Sequence, residues 1–276
     1  MTAVPDYEAE YNNRARVPEH PAIIEGWARD AAAYREANPP ATMSYGPGER
    51  NRIDVFQPTA GEPAPRTVLF IHGGYWQVLD RALFSHCARG LCARGVAVAV
   101  PSYSLCPQVR VGDIVEEMRA AARMLAAGGA AVVAAGHSAG GHLAACLLGT
   151  DWPSIDADLP ARLVPAAFAI SGLFDLRPLV PTSINRALGL DPAEAEAVSP
   201  LFWPAPSGSS LDAVVGGDES GEYHRQSRRV ADKWGAAGVR TRFEAFGGAN
   251  HFTVVAPLAD PGSAMVERLA ALAGER

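Results

Sequence analysis

Ala130-Ala131-Val132-Val133-Ala134-Ala135-Gly136-His137-Ser138-Ala139-Gly140-Gly141-His142 is the stretch that decides how this chain folds. A short apolar run ends in Gly-x-Ser-x-Gly, and an alanine- and leucine-rich segment, Leu143 to Leu148, follows at once. The order reads strand, sharp turn, helix, with a serine at the apex. Gly136 and Gly140 carry no side chains, so strand and helix can close around the turn. Ser138 is then held in a strained conformation at the top of a sheet. The Ala139 amide points into the site from a helix N-terminus, where developing negative charge is stabilised. The same five residues in an ordinary loop would mean little; the strand before them and the helix after them supply the context.

Working outward, Thr67-Val68-Leu69-Phe70-Ile71 is a continuous apolar run, as a central strand buried on both faces requires. It ends in His72-Gly73-Gly74-Tyr75-Trp76. A helix is predicted over Arg81 to Arg94, closed by Gly95, then a strand over Val96 to Val100. Gly112 to Ala127 places Ile114, Val115, Met118, Ala121 and Leu125 on one helical face. Beyond the serine, Asp151 to Pro160 reads as a loop. Strands follow at Ala166–Ile170, Leu211–Val215 and Arg240–Phe246, and helices at Gly221–Ala237 and Ala264–Ala273. Two earlier strands, Ala41–Tyr45 and Arg52–Phe56, are joined by the turn Gly46-Pro47-Gly48. The expected class is α/β: a mostly parallel central sheet flanked by helices on both faces, in a single domain over 1–276. Residues 1–40 form an N-terminal helical arm with Ile23, Ile24, Trp27, Ala31 and Tyr34 on one face. The arm either packs on the body or brings Trp27 or Tyr34 over the site. The proline-broken segment 176–204 is a cap-like insertion, where a partial cover would be built.

Bulk properties narrow the function. The 276 residues are 48% hydrophobic and 20% charged, an ordinary globular balance, and the net charge is −6. With no clustered basic stripe, nucleic acid and anionic membrane are poor partners. Lys233 is the single lysine among 24 basic residues, as in a GC-rich bacterial genome. The acidic start, Met1 to Glu10, lacks the apolar segment of a signal peptide, and no run reaches the ~18 apolar residues of a membrane span, so a cytoplasmic location is expected. Cys87, Cys92, Cys106 and Cys146 match no zinc or redox spacing and read as buried reduced thiols. No metal is expected: His137 and His142 are badly spaced for one helical face, and there is no His-Glu-x-x-His. No cofactor is expected either, since no Rossmann or P-loop glycine fingerprint appears. The expected partners are a small-molecule substrate and, at most, a second copy of the chain as a homodimer.

A serine hydroxyl needs a base within hydrogen-bond reach, and that base needs an acid behind it. When the serine lies on a strand–turn–helix, the partners follow in the order acid, histidine, each after a strand. His251 sits after the last strand, in a loop loosened by Gly247 and Gly248. His224, the other late histidine, falls inside a helix among arginines and reads as a solvated face. The acid comes from Gly216-Gly217-Asp218-Glu219-Ser220, where either Asp218 or Glu219 could turn inward; Asp175 is a third candidate. Gly73, Gly74 and Ala139 are the expected amide donors to an oxyanion. Such preorganised donors are typically worth about 2.7–4 kcal/mol each in the transition state. Tyr75, Trp76, Phe174 and Trp203 are candidates for an aromatic substrate wall, with core packing as the alternative for each.

These residues resemble the arylformamidases, or kynurenine formamidases, of the α/β-hydrolase fold. The likeness rests on His72-Gly73-Gly74-Tyr75-Trp76, Tyr103-x-Leu105-Cys106-Pro107, Gly136-His137-Ser138-Ala139-Gly140-Gly141-His142, Ser171-Gly172-Leu173-Phe174-Asp175-Leu176, Thr182-Ser183-Ile184-Asn185, Arg225-Gln226-Ser227 and Asn250-His251-Phe252. It covers roughly residues 10–270. The resemblance implies hydrolysis of N-formylkynurenine to kynurenine and formate in tryptophan breakdown, without a metal. It also implies that the catalytic carboxylate, counted back from Arg225-Gln226-Ser227, is Glu219, where many relatives carry aspartate. Bacterial members of the group include broad esterases, so a carboxylesterase of short-chain esters is the alternative. A non-catalytic binding protein on the same scaffold would show a damaged triad; this one is complete.

Overall fold

The computed structural model describes residues 5–274; residues 1–4 and 275–276, which include the start of the expected arm, lie outside the described residues. Eight strands form one sheet: β1 (Ala41–Ser44), β2 (Arg52–Phe56), β3 (Thr67–Ile71), β4 (Val98–Pro101), β5 (Val132–His137), β6 (Ala166–Ile170), β7 (Ser210–Gly216) and β8 (Arg240–Phe246). Their order is β1-β2-β4-β3-β5-β6-β7-β8. The first two strands pair antiparallel and the other six run parallel.

Two-residue periodicity divides the core. Leu69 and Ile71, Val132 and Ala134, and Leu211, Ala213 and Val215 pack on one face of the sheet. Val68 and Phe70, Val133 and Ala135, and Ala166, Phe168 and Ile170 pack on the other. Both faces are covered, so these strands are apolar on both sides except for buried Ser210 and Asp212 of β7, the latter paired with Arg268. At the two edges β1 is exposed throughout and β8 alternates.

The helices, in chain order, are α1 (Tyr7–Tyr11), α2 (Asn13–Arg16), α3 (His20–Ala37), α4 (Arg89–Cys92), α5 (Val111–Ala126), α6 (Ala139–Leu148), α7 (Trp152–Ile155), α8 (Asn185–Leu188), α9 (Pro192–Ala197), α10 (Gly221–Ala236) and α11 (Ala264–Gly274). In the arm, the side chains of Asp6 and Asn12 accept from Ala9 and Ala15 amides and start two separate short helices. Trp27, Ala31 and Tyr34 form the buried stripe of α3. Two expectations are corrected. Arg81 to Arg94 is not one α-helix but a 3₁₀ segment, Arg81–Ala88, followed by the single turn α4. Gly90 of that turn lies so close to Leu258 that an added Cβ would be 2.5 Å from its carbonyl oxygen, so docking against the Ala256–Ala259 turn sets the local path. The Asp151–Pro160 loop also contains the one-turn helix α7.

Register brings the chemistry together. Ile71 is level with Gly136, His137 with Ile170, Ile170 with Val214, and Gly216 with Phe246. The carboxyl ends of β3, β5, β6, β7 and β8 therefore stop along one rim, where parallel sheets bind ligands. No helix among the described residues is long and apolar enough to cross a membrane.

Candidate active site

At the end of β5 the chain reverses through Ser138, whose φ of +57° and ψ of −118° are outside the ordinary regions for a side-chain-bearing residue. Strain of this kind costs of order 1–3 kcal/mol and survives only where surroundings dictate it. Here they do: the Ser138 amide donates to the Ile170 carbonyl at 2.8 Å, tying the turn to the neighbouring strand. A Cβ on Gly136 would meet the Gly140 carbonyl oxygen at 2.2 Å, and one on Gly140 would meet the Ile71 oxygen at 1.9 Å. Strand, turn and helix close only because both positions are glycine.

His251 and Glu219 complete a continuous hydrogen-bonded chain. His251 Nε2 lies 3.1 Å from Ser138 Oγ, and His251 Nδ1 lies 2.6 Å from Glu219 Oε2. The Glu219 side chain is fully buried, and its second oxygen accepts from Ser171 Oγ at 2.5 Å and the Gly216 amide at 2.7 Å. Asp218 is exposed, lining a separate polar cavity of about 440 Å³ behind the histidine. Asp175 is held by Arg177 and Arg229. Of the three carboxylates weighed from the sequence, Glu219 alone reaches the imidazole. His224 is partly exposed on α10, as expected.

Next to the serine, the loop after β3 winds through positive φ at Gly74 (+111°), Tyr75 (+49°) and Trp76 (+58°). Gly73 sits against the nucleophile, where an added Cβ would be 3.0 Å from Ser138 Cβ and 2.9 Å from the His137 carbonyl oxygen. No acceptor among the described residues takes a hydrogen bond from the amides of Gly73, Gly74 or Ala139. Three donors are thus unspent, and two of them, on Gly73 and Gly74, belong to residues that line the same cleft as Ser138. Beneath the loop, His72 is sandwiched between Tyr103 and Phe84 at 4.3 and 5.6 Å, and burial pushes its pKa down to about 4. His137 is driven well below its ordinary value by burial and by His251 beside it, and its Nε2 meets the His251 carbonyl at 2.9 Å.

The cleft in front of Ser138 has a volume of about 300 Å³ and is walled by Trp27, Tyr75, Ile24 and Phe252, with Ser183 and Ile184 at the rim. Of the aromatic candidates, only Tyr75 lies in it. Trp76 is fully buried: its backbone turn sends the indole inward, edge-on to His142 at 5.0 Å. Phe174 is also fully buried, its amide bound by Gln226 Oε1 at 2.6 Å. Trp203 donates to the Ala197 carbonyl at 2.8 Å and covers Gly149 outside the cleft. Of the two arm aromatics, Trp27 lines the cleft, whereas Tyr34 packs on Phe56.

Several site residues carry no signature in the sequence. Tyr223, on α10, packs its ring on His251 with centroids 4.7 Å apart. Its hydroxyl is 2.7 Å from that of Tyr75 and accepts from Asn13 Nδ2 at 2.8 Å. Tyr75 in turn donates to the Tyr11 carbonyl at 2.6 Å, so Tyr223 is the donor to Tyr75. Burial, with Tyr223 next, holds the Tyr75 phenol well above its ordinary value, so both hydroxyls stay neutral. The N-terminal arm is thereby bolted to the strained loop and the imidazole at once. The arm and the 176–204 segment also meet: Glu8 accepts from the amide and hydroxyl of Ser183, each at 2.7 Å. Asn185 steadies that segment by bonding Val180 and Leu190. Among the described residues no three His, Cys, Asp or Glu side chains cluster as a metal ion would require.

Known proteins share this framework. A family model described as alpha/beta hydrolase fold matches residues 68–168. Kynurenine formamidase of Danio rerio is 29% identical over 241 residues, 84% of this chain and 81% of its own length. Kynurenine formamidase of Drosophila melanogaster is 30% identical over 226 residues, 77% and 74% of the two chains. A crystal structure from Silicibacter sp. tm1040, provisionally called a thioesterase, superposes with a TM-score of 0.84 at 32% identity, covering 96% of this chain and 98% of that one. The chain belongs to the kynurenine formamidase (arylformamidase)/esterase family of α/β-hydrolases.

Proposed function

We propose that the protein is a serine hydrolase that removes a formyl group from an aryl amine, with N-formylkynurenine as substrate and kynurenine and formate as products. The observation that supports acyl transfer most directly is the Glu219–His251–Ser138 chain at 2.6 and 3.1 Å, in a cleft also lined by Gly73 and Gly74, whose amides are unspent. An ionised carboxylate only accepts, so Glu219 keeps the His251 proton on Nδ1 and leaves the Nε2 lone pair facing Ser138. His251 takes the Oγ proton as Oγ attacks the formyl carbon. The carbonyl oxygen gathers charge against the amides of Gly73, Gly74 and Ala139. His251 returns the proton to the departing nitrogen, the C–N bond breaks, and a formyl ester on Ser138 remains. Water, deprotonated by the same imidazole, opens that ester and releases formate. The aryl group packs in the cleft lined by Tyr75 and by Trp27 and Phe252, whose rings lie against each other with centroids 6.1 Å apart.

The formamide reading draws on the two formamidase relatives, since the same centre opens esters equally well in principle. Comparing kcat/KM for N-formylkynurenine and p-nitrophenyl acetate separates the two. Preference for the formamide is expected; a tenfold or greater preference for the ester would make the protein a carboxylesterase. Ser138→Ala is expected to lower kcat about 10⁴- to 10⁶-fold without unfolding the chain, and near-normal turnover would remove serine catalysis.

A further inference from the structure

The residues around the 300 Å³ cleft include one permanently charged group, Arg14, and no carboxylate. Arg14 is exposed on α2, immediately after Asn13, whose amide is anchored on the hydroxyls of Tyr223 and Tyr75 at 2.8 and 3.4 Å. Its backbone is therefore fixed relative to the catalytic chain while its side chain is available. The neighbouring carboxylates are occupied elsewhere: Glu8 by Ser183, and Glu10 by the Glu222 amide at 2.9 Å. Arg16, the next cation, lines the separate polar cavity with Glu19 and Asp218. Among the described residues no carboxylate lies within ion-pair distance of the Arg14 guanidinium.

A protein of net charge −6 repels anions on average, so a lone arginine at the mouth of an otherwise uncharged aromatic cleft is selective. A guanidinium presents a planar fork that matches a carboxylate. We propose that Arg14 is a specificity-determining residue that binds a carboxylate on the leaving group. The preferred substrates are then acyl derivatives of aromatic amines bearing an acid, with the carbonyl at Ser138, the ring against the wall that Trp27 and Phe252 form together, and the anion at Arg14. This rests on the hydrolase reading above and sharpens it: the cleft selects for charge as well as for an aryl group.

The test compares N-formylkynurenine with its primary amide, identical except for the lost negative charge, in the full chain and in Arg14→Gln and Arg14→Lys. Arg14→Gln is expected to lower kcat/KM for the acid about 10- to 100-fold through KM, and at least tenfold more than for the amide. Arg14→Lys should recover part of the loss, and the wild-type preference for the acid should shrink between low and high salt. Equal losses for acid and amide, or no loss for either, would overturn the proposal. Should the wild type cleave neither formamide yet open esters, the formamide reading falls, and the same variants are compared on 3-acetoxybenzoate and phenyl acetate. There, absence of discrimination between the charged and neutral ester overturns the role of Arg14.

Discussion

Replacing Glu219 by glutamine tests the site at its most informative atom. Glu219 Oε1 receives two buried donors, the Ser171 hydroxyl and the Gly216 amide, and Oε2 receives His251 Nδ1. Glutamine has one acceptor oxygen and one NH₂. With the oxygen toward Ser171 and Gly216, the NH₂ faces Nδ1, which must then accept. The imidazole proton moves to Nε2, and Ser138 loses its base. In the flipped orientation the Ser171 hydroxyl can rotate to accept, but the Gly216 N–H cannot. Stranding that buried donor costs about 1–3 kcal/mol, or about 5- to 150-fold in population. The carboxylate charge that stabilises the imidazolium is lost in either orientation. Together these should lower kcat for Glu219→Gln about 10³- to 10⁴-fold, as for other triads given the wrong tautomer. Asp218→Asn, at an exposed side chain, should change kcat by no more than about threefold, the ordinary range of a surface change. The assay is steady-state turnover of an aryl formamide or an activated ester, with thermal melts to confirm folding. Retention of more than a tenth of kcat by Glu219→Gln, or a larger loss in Asp218→Asn, would refute the assignment.

Three further outcomes follow from the packing. Tyr223→Phe removes the acceptor of the Asn13 amide and the donor to Tyr75, so urea unfolding should show a loss of about 1–3 kcal/mol; a loss below about 0.5 kcal/mol would mean the network is not closed as described. His72 and His142 are both pushed to about 4 by burial, each with one ring nitrogen at 2.7 Å from a carbonyl oxygen. The unfolded chain therefore takes up these protons first. Stability is full above the ordinary histidine value near 6.5 and falls toward pH 4, by about 2 kcal/mol per histidine at pH 5, and unchanged unfolding free energies at pH 7 and 5 would contradict this. Gly140→Ala would put a Cβ 1.9 Å from the Ile71 oxygen and 2.8 Å from that of His72, both backbone. It should cost at least about 3 kcal/mol and most of the activity, and a variant with wild-type stability would show the elbow to be looser than drawn.

What the amino-acid order determined alone is local in origin. The strand–Gly-x-Ser-x-Gly–helix transition, the apolar run before His72-Gly73-Gly74 and the late loop around His251 are short-range patterns of hydrophobicity and backbone freedom. Their order along the chain is enough to predict a parallel sheet with serine, acid and histidine at one rim, because each parallel strand ends on the same side. The choice between Asp218 and Glu219 was of another kind. By local pattern alone, adjacent carboxylates in a glycine-rich turn look alike; the motif resemblance points to Glu219, and next to Ser171, the residue after β6, burial admits only the carboxylate whose oxygens are all bonded. The aromatic wall failed similarly: Trp76 and Phe174 are near the loops in sequence but spend their surface in the core, where a large apolar ring is worth most. Tyr223 and Asn13 lie far apart in the chain, and their meeting at Tyr75 is a product of helix docking that no pattern in either segment announces. Sequence therefore sets which groups stand at the strand ends, and tertiary packing decides which side chains reach the cleft, because long-range burial and hydrogen-bond satisfaction depend on neighbours that a local pattern does not contain.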